Sequence, residues 1–414
     1  MKTTTRIQLS LMMFLEYFVW GAWYVTMGTY LGSNLEFTGT QIGLAYGTLA
    51  IAAMISPFIV GLIADRFFAA ERFLGVIHLL GAAILYAIVQ VTDFGTFYGL
   101  LLAYSLCYMP TIALTNSLCF HQMEDPEKEF PSIRVLGTLG FIASVSLVSF
   151  MKVEDQALPF LVASGSSVLL GIYSFFLPHT PPKSKGKKLT TRDVLGLDAL
   201  SLLKTQSFLI FFIASILICI PLQFYYTFGN LFLNNIGMEY AGSKMTLGQW
   251  AEVGFLLVMP FFFKRYGIKW MLIIGMAAWA LRYVLFAFGD LGTNVWMLYA
   301  GIVLHGICYD FFFVTGQVYS DKVAPDSLRS SMQGLITFAT YGVGLFIGSV
   351  VSGPIVDYYK ISDDPAQYNW GEIWILPAAF SLAILLVFAL LFRENKSQEV
   401  DDASSLSQLS PVEN

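Results

Sequence analysis

Twelve stretches of about 20 predominantly apolar residues follow one another along this chain, and no other feature constrains its fold as much. A bilayer's hydrocarbon core is about 30 Å thick, which a helix crosses in about 20 residues. The stretches occupy 7–31, 41–63, 73–91, 97–120, 132–151 and 157–177 in the first half. In the second they occupy 208–230, 245–263, 270–288, 295–318, 331–356 and 372–392. Only 12% of the 414 residues are charged, where a soluble domain carries about 25%. So few charges cannot cover a water-facing surface. The expected class is an all-α polytopic membrane protein with twelve transmembrane helices.

The loops divide the chain further. Residues 1–178 are expected to form one six-helix bundle, 179–207 a cytoplasmic linker, 208–393 a second bundle, and 394–414 a disordered polar tail. Lys and Arg collect in alternate loops, at Arg6, Arg72, Lys128, Arg265, Lys269, Lys322 and Arg393, and in the linker from Lys183 to Lys204. The opposite loops hold only Lys152, Lys244 and Lys360. That asymmetry requires an even number of passes and places both termini in the cytoplasm. The stretch 7–31 is too long for a signal-peptide core and leads straight into further spans. Cys107, Cys119, Cys219 and Cys308 lie in apolar segments and read as small buried hydrophobes without a disulfide framework.

Six spans, a basic linker and six more spans suggest two parallel structural repeats. After the second span the chain reads Gly61-Leu62-Ile63-Ala64-Asp65-Arg66-Phe67, with Glu71-Arg72 beyond. This string resembles the cytoplasmic loop motif of the major facilitator superfamily, although Phe68 or Ala69 stands where a later glycine is usual. The resemblance implies two six-helix bundles.

An ionisable side chain within hydrocarbon costs about 2.5–3.5 kcal/mol even on a lenient insertion scale, so it faces a partner or a wet cavity. Glu16, His78, Arg134, Glu252, Arg282, His305 and Asp310 fall in such places. Arg134, Thr138 and Phe141 lie at i, i+4 and i+7 and share one helix face, combining a cation, a hydroxyl and a ring. Arg134 could equally mark a helix end and snorkel to water. Gly137 and Gly140 beside it would admit another backbone. Gln249 and Glu252 share a face of the eighth span. Desolvation disfavours the charged form of a carboxyl group, so such a residue can load and release a proton; the alternative is static hydrogen-bonded glue between helices.

In the seventh span Gln223, Tyr226, Thr227 and Asn230 form a polar stripe after Pro221, which could kink or unwind the helix. Such a stripe is expected to line a cavity. The tenth span carries His305, Tyr309 and Phe312 on one face, with Asp310 about 100° round from Tyr309. Asp310 is either a proton carrier or the structural partner of Arg282. Trp20 and Trp23 could stack a ring or anchor the interface. No His/Cys group has metal-ligand spacing. No Gly-x-x-x-x-Gly-Lys-Ser/Thr string is present to bind ATP, and no cofactor is expected.

A closer resemblance rests on longer strings. These are Pro131-Ser132-Ile133-Arg134 with Gly137-Thr138-Leu139-Gly140-Phe141, Leu195-Gly196-Leu197-Asp198-Ala199, and Phe228-Gly229-Asn230. Further strings are Arg265-Tyr266-Gly267-Ile268-Lys269, Arg282-Tyr283-Val284-Leu285-Phe286-Ala287 and Tyr309-Asp310-Phe311-Phe312. From Phe14 to about Phe392 the chain resembles the nucleoside:proton symporter family of the major facilitator superfamily, found in bacteria. The resemblance implies nucleoside uptake driven by the proton gradient, with the substrate between the two bundles. It carries site roles onto Arg134, Thr138, Phe141, Gln223, Gln249, Glu252 and Asp310. Tyr226 stands where the family has Asn, His305 where it has Tyr, Tyr309 where it has Phe, and Glu16 where it has an amide. Those departures bear on which substrate is taken.

The expectation is a secondary carrier of the bacterial inner membrane that works by alternating access as a monomer, with nucleoside, protons and lipid as partners and no nucleic acid. Phe141, Tyr226 or Tyr309 would stack the base, and Gln223, Gln249 and Arg134 would bond ribose hydroxyls or base edges, with Tyr226, His305 and Tyr309 also counted in the site. Glu252 or Asp310 would carry the proton. The same fold moving a sugar or another polar solute, a passive facilitator and a non-transporting sensor are the rivals, while no catalytic group pair suggests an enzyme.

Overall fold

The computed structural model describes residues 1–60, 68–181, 197–325, 328–363 and 366–393. The loop string at 61–67, most of the linker and the tail beyond 393 lie outside these residues.

Among the described residues the twelve apolar stretches become twelve helical passes. Those of the first half are α1 (Thr3–Tyr24, continued by a short piece Met27–Ser33), α2 (Gly39–Ile59), α3 (Ala70–Ile88), α4 (Phe94–Gln122), α5 (Pro126–Phe150) and α6 (Leu158–Ser174). Those of the second half are α7 (Gln206–Asn235), α8 (247–266), α9 (268–288), α10 (295–323), α11 (329–358) and α12 (Trp370–Leu391). Gly267 breaks the run between α8 and α9 with φ 69° and ψ 177°, a conformation that side chains with a Cβ rarely adopt. A π turn, Asp310–Val314, interrupts α10, and another, Phe338–Gly344, interrupts α11. Residues 360–363 and 366–368 form a small antiparallel hairpin before α12.

Nine described helical runs are long and apolar enough to cross a membrane by length and composition, the run through α8 and α9 counting once. Outside that set stand α6, which has only 17 residues, and α1, whose polar residues include Arg6, Gln8 and Glu16. Glu16 needs no water: it is buried, accepts from Thr111 Oγ1 at 2.6 Å and lies 2.9 Å from His78 Nε2. His78 is further bonded to Ser167 at 3.0 Å. This pair is an internal tie of the first bundle.

Among the described residues Met1 and Arg393 lie at one end. The Met1 ammonium donates to Glu129 (3.2 Å) after α4, Ser207 at the start of α7 donates to the Arg393 carbonyl (2.5 Å), and Lys269 donates to the Phe392 carbonyl (2.8 Å). At the opposite end the two bundles are hydrogen-bonded to each other. Thr29 Oγ1 donates to Asn230 Oδ1 at 2.6 Å. Glu154, just after α5, accepts from Asn230 and Asn234 of α7 (both 2.8 Å) and from the Gly242 backbone N–H ahead of α8 (2.9 Å). Asp357, at the end of α11, accepts from the backbone N–H groups of Gly39 (2.5 Å) and Thr40 (2.8 Å) at the start of α2.

These two carboxylates are equivalent under the repeat. Each lies at the end of the fifth pass of its own bundle and accepts backbone N–H at the approach to the second pass of the other, Glu154 from Gly242 and Asp357 from Gly39 and Thr40, where a helix start favours an anion. Among the described residues, every hydrogen bond between the bundles lies at this seam.

Within the first bundle, α1 and α5 touch backbone to backbone. A Cβ on Gly140 would fall on the Phe14 carbonyl oxygen. Gly140→Val is expected to destabilise the protein by about 1–3 kcal/mol through overpacking, read as a lower melting temperature in detergent; an unchanged value would contradict this contact. Across the seam, a Thr29→Cys, Asn230→Cys pair placed in a chain without the four native cysteines is expected to crosslink under mild oxidation. An uncrosslinked pair would contradict the seam.

Candidate functional site

Where the bundles face each other below the seam, α1 and α5 of the first bundle meet α7, α8 and α10 of the second. The close approach of α1 to α5 sets the first wall. Arg134, half-buried, sits with Cζ 4.2 Å from the centroid of the Tyr17 ring, a cation–π contact. Among the described residues its guanidinium forms no ion pair. Phe141, two turns on, meets Trp20 edge-on at 6.1 Å. Thr138 is half-buried on the same face.

Small residues set the second wall. Gly306 of α10 lies against the backbone at Ala251 and Glu252, and Gly248 of α8 lies against His305. This packing brings Glu252 within electrostatic range of Asp310, Tyr226 and Tyr309. Among the described residues no hydrogen bond engages the side chains of Gln249 or Glu252. Asp310 is 1% exposed and its Oδ2 has no hydrogen-bond partner. It opens the π turn of α10, an element frequent at functional sites.

Rings connect the two walls without a gap. Phe141 touches Trp20 (6.1 Å), Trp20 touches Tyr24 (5.5 Å), and Tyr24 touches Tyr226 (6.1 Å). Tyr226 touches His305 (6.2 Å), and His305 touches Tyr309 (6.2 Å). The Tyr309 hydroxyl is fixed by that of Tyr341 at 2.7 Å. Such a run offers π faces to a flat apolar ring, while Arg134, Gln249, Glu252 and Asp310 supply polar groups, a combination suited to a small polar aromatic solute.

Several sequence expectations change here. The Arg282–Asp310 pairing does not form: Arg282 donates from Nη1 to His305 Nδ1 at 3.0 Å and stacks on Tyr225, with Cζ 3.4 Å from its centroid. The seventh-span stripe is divided. Gln223 is buried and donates one amide N–H to Thr227 Oγ1 at 2.9 Å, leaving its second N–H and its carbonyl oxygen to offer. Asn230 belongs to the seam and not to a cavity wall. The helix also continues through Pro221, whose carbonyl accepts from Tyr283 at 2.6 Å, so no unwinding occurs there. Sequence reasoning missed Tyr17, Tyr24 and Tyr341. The first two flank Trp20 at i−3 and i+4 on one helix face, a signal that was available; Tyr341 gave none.

Comparison with known proteins identifies the family and the fold. The family described as Nucleoside H+ symporter matches residues 1–397. The putative nucleoside transporter YegT of Escherichia coli (strain K12) is 44% identical, the alignment covering 97% of this chain and 97% of YegT. The xanthosine permease of the same organism is 37% identical, over 95% and 97%. The crystal structure of the nucleoside transporter NupG superposes with a TM-score of 0.87 at 32% identity, covering 94% of this chain and 100% of that one.

Proposed function

Because this chain belongs to the nucleoside H+ symporter family, we infer that it imports nucleosides with protons by alternating access between its two six-helix bundles. One observation carries the reading. Among the described residues Arg134 of one bundle and Glu252 of the other form neither an ion pair nor a side-chain hydrogen bond, and Asp310 is buried with its Oδ2 unsatisfied. A structural ion pair would be closed and hydrogen-bonded. Charges held apart across a movable interface are instead available to a solute and a proton.

In this reading the base stacks against Phe141, Tyr226 or Tyr309. Arg134, Thr138, Gln249 and Gln223 bond ribose hydroxyls or base edges. Glu252 and Asp310 take up the coupling proton, and His305 borders the base. Basic loops and both termini lie on the cytoplasmic side. The seam of Glu154 and Asp357 is then the closed external face, and the site communicates with the cytoplasm. The units that rock are 1–178 and 208–393, tethered by 179–207 and followed by the tail 394–414. The protein works as a monomer in the bacterial inner membrane. Xanthosine joins uridine and adenosine as a solute to test, since a xanthosine permease is among the relatives.

Labelled uridine, adenosine and xanthosine supplied to cells expressing the chain test the reading. Uphill accumulation that collapses with a protonophore is expected; equilibration that ignores the protonophore would contradict coupling. Of Glu252→Gln and Asp310→Asn, the variant lacking the coupling proton is expected to lose accumulation by about 5–150-fold while retaining nucleoside exchange. Undiminished protonophore-sensitive accumulation in both would remove both residues from that role.

A further inference from the structure

Arg282 on α9 is 0% exposed and, among the described residues, forms no ion pair. Its Nε and Nη2 have no hydrogen-bond partner. A charge so placed is costly in hydrocarbon, and three contacts compensate it: the stack on Tyr225, the Phe286 ring at 5.4 Å and, last, the 3.0 Å bond to His305 Nδ1. The bond to His305 determines a chemical state. A guanidinium has only donors, so a favourable bond at this distance requires Nδ1 to be unprotonated and to accept. The neutral imidazole then carries its proton on Nε2. Among the described residues no hydrogen bond engages Nε2.

The remaining groups facing the ring do not alter this state. Tyr225 and Tyr226 approach from α7 at 5.6 and 6.2 Å, and Tyr309 from its own helix at 6.2 Å. Gly248 of α8 brings no side chain. None of these offers a second acceptor or a negative charge to Nδ1. Tyr226 and Tyr309 also belong to the run of rings between the bundles, Tyr226 meeting Tyr24 of the first bundle at 6.1 Å.

We propose that Arg282 is a positioning residue that locks His305 as a fixed N–H donor, so that the site favours nucleosides whose base presents a keto oxygen over those presenting an amino group there. The inference rests on the nucleoside reading above. A keto oxygen accepts from Nε2–H, whereas an exocyclic amino group meets donor with donor, and specificity arises from that mismatch as much as from the bond. Without Arg282 the imidazole is free to present either nitrogen, and the discrimination fades.

Two readouts keep the lock and the substrate apart. With 15N-histidine-labelled protein in lipid nanodiscs, the His305 signals are identified among the four histidines by their loss in His305→Gln. The lock predicts unprotonated Nδ1 and protonated Nε2 in the parent chain, and mixed tautomers in Arg282→Met. Protonated Nδ1 in the parent overturns the lock whatever solute is carried, and this result needs no variant of Arg282 to fold.

For selectivity, uridine is set against cytidine, and inosine against adenosine, as competitors of labelled uridine uptake. The parent is expected to favour the keto member of each pair about tenfold, the scale of one well-made hydrogen bond. Arg282→Met is expected to bring the ratios towards one, and Arg282→Lys, which keeps a donor, to restore part of the preference. Equal ratios in parent and Arg282→Met overturn the selectivity. A parent with the locked tautomer and no nucleoside uptake overturns the substrate half together with the symport reading, while the lock stands.

Discussion

An ionisable side chain inside hydrocarbon must find a partner or a wet surface, and the way this chain meets that demand orders the molecule. Glu16 and His78 satisfy each other within the first bundle. Arg282 is sealed against Tyr225 and His305. Glu154 and Asp357 are spent on helix starts of the opposite bundle. What remains between the bundles is Arg134, Glu252 and Asp310. Their incomplete satisfaction is what leads us to propose them as the groups that meet a proton and a solute.

The seam adds hydrogen bonds to the close packing of α2 on α11 and of α1 on α7, where Gly43 meets the Ser349 carbonyl and Gly28 that of Thr227. Each carboxylate accepts backbone N–H groups that a helix start leaves unpaired in any case. When the seam parts, those N–H groups and both carboxylates pass to water and lose little. Bonds of this kind, each worth about 0.5–1.5 kcal/mol net, hold one state firmly enough to be populated and loosely enough to be left. The repeat makes the closure symmetrical, since α5 with α8 and α11 with α2 are the same pair of passes exchanged between halves.

Much of the fold could be read from hydropathy alone, because span length and loop charge respond directly to bilayer thickness and to the orientation rule. The spacing of Arg134, Thr138 and Phe141, and of Gln249 and Glu252, identified faces that the fold directs towards one interface. The harder cases share a cause: their partners come from distant sequence. Arg282 was weighed against Asp310, yet its neighbour is His305, five residues earlier on α10. Asn230 lies on the same stripe as Gln223 but is claimed by Thr29 and Glu154, which belong to the other bundle. Glu154, read from sequence as part of a loop, proves to be the centre of the seam. Helical angles drawn in even steps also fail past Asp310, where the π turn changes the register of α10.

The central claim is that solute and proton cross together. Purified protein in liposomes holding a pH-sensitive dye, exposed to an inward uridine gradient with the membrane voltage clamped, tests it most directly. Acidification of the lumen that follows uridine entry, and that fails in the variant lacking the coupling carboxylate, is the predicted result. Uridine entry with no change in lumenal pH would contradict the account.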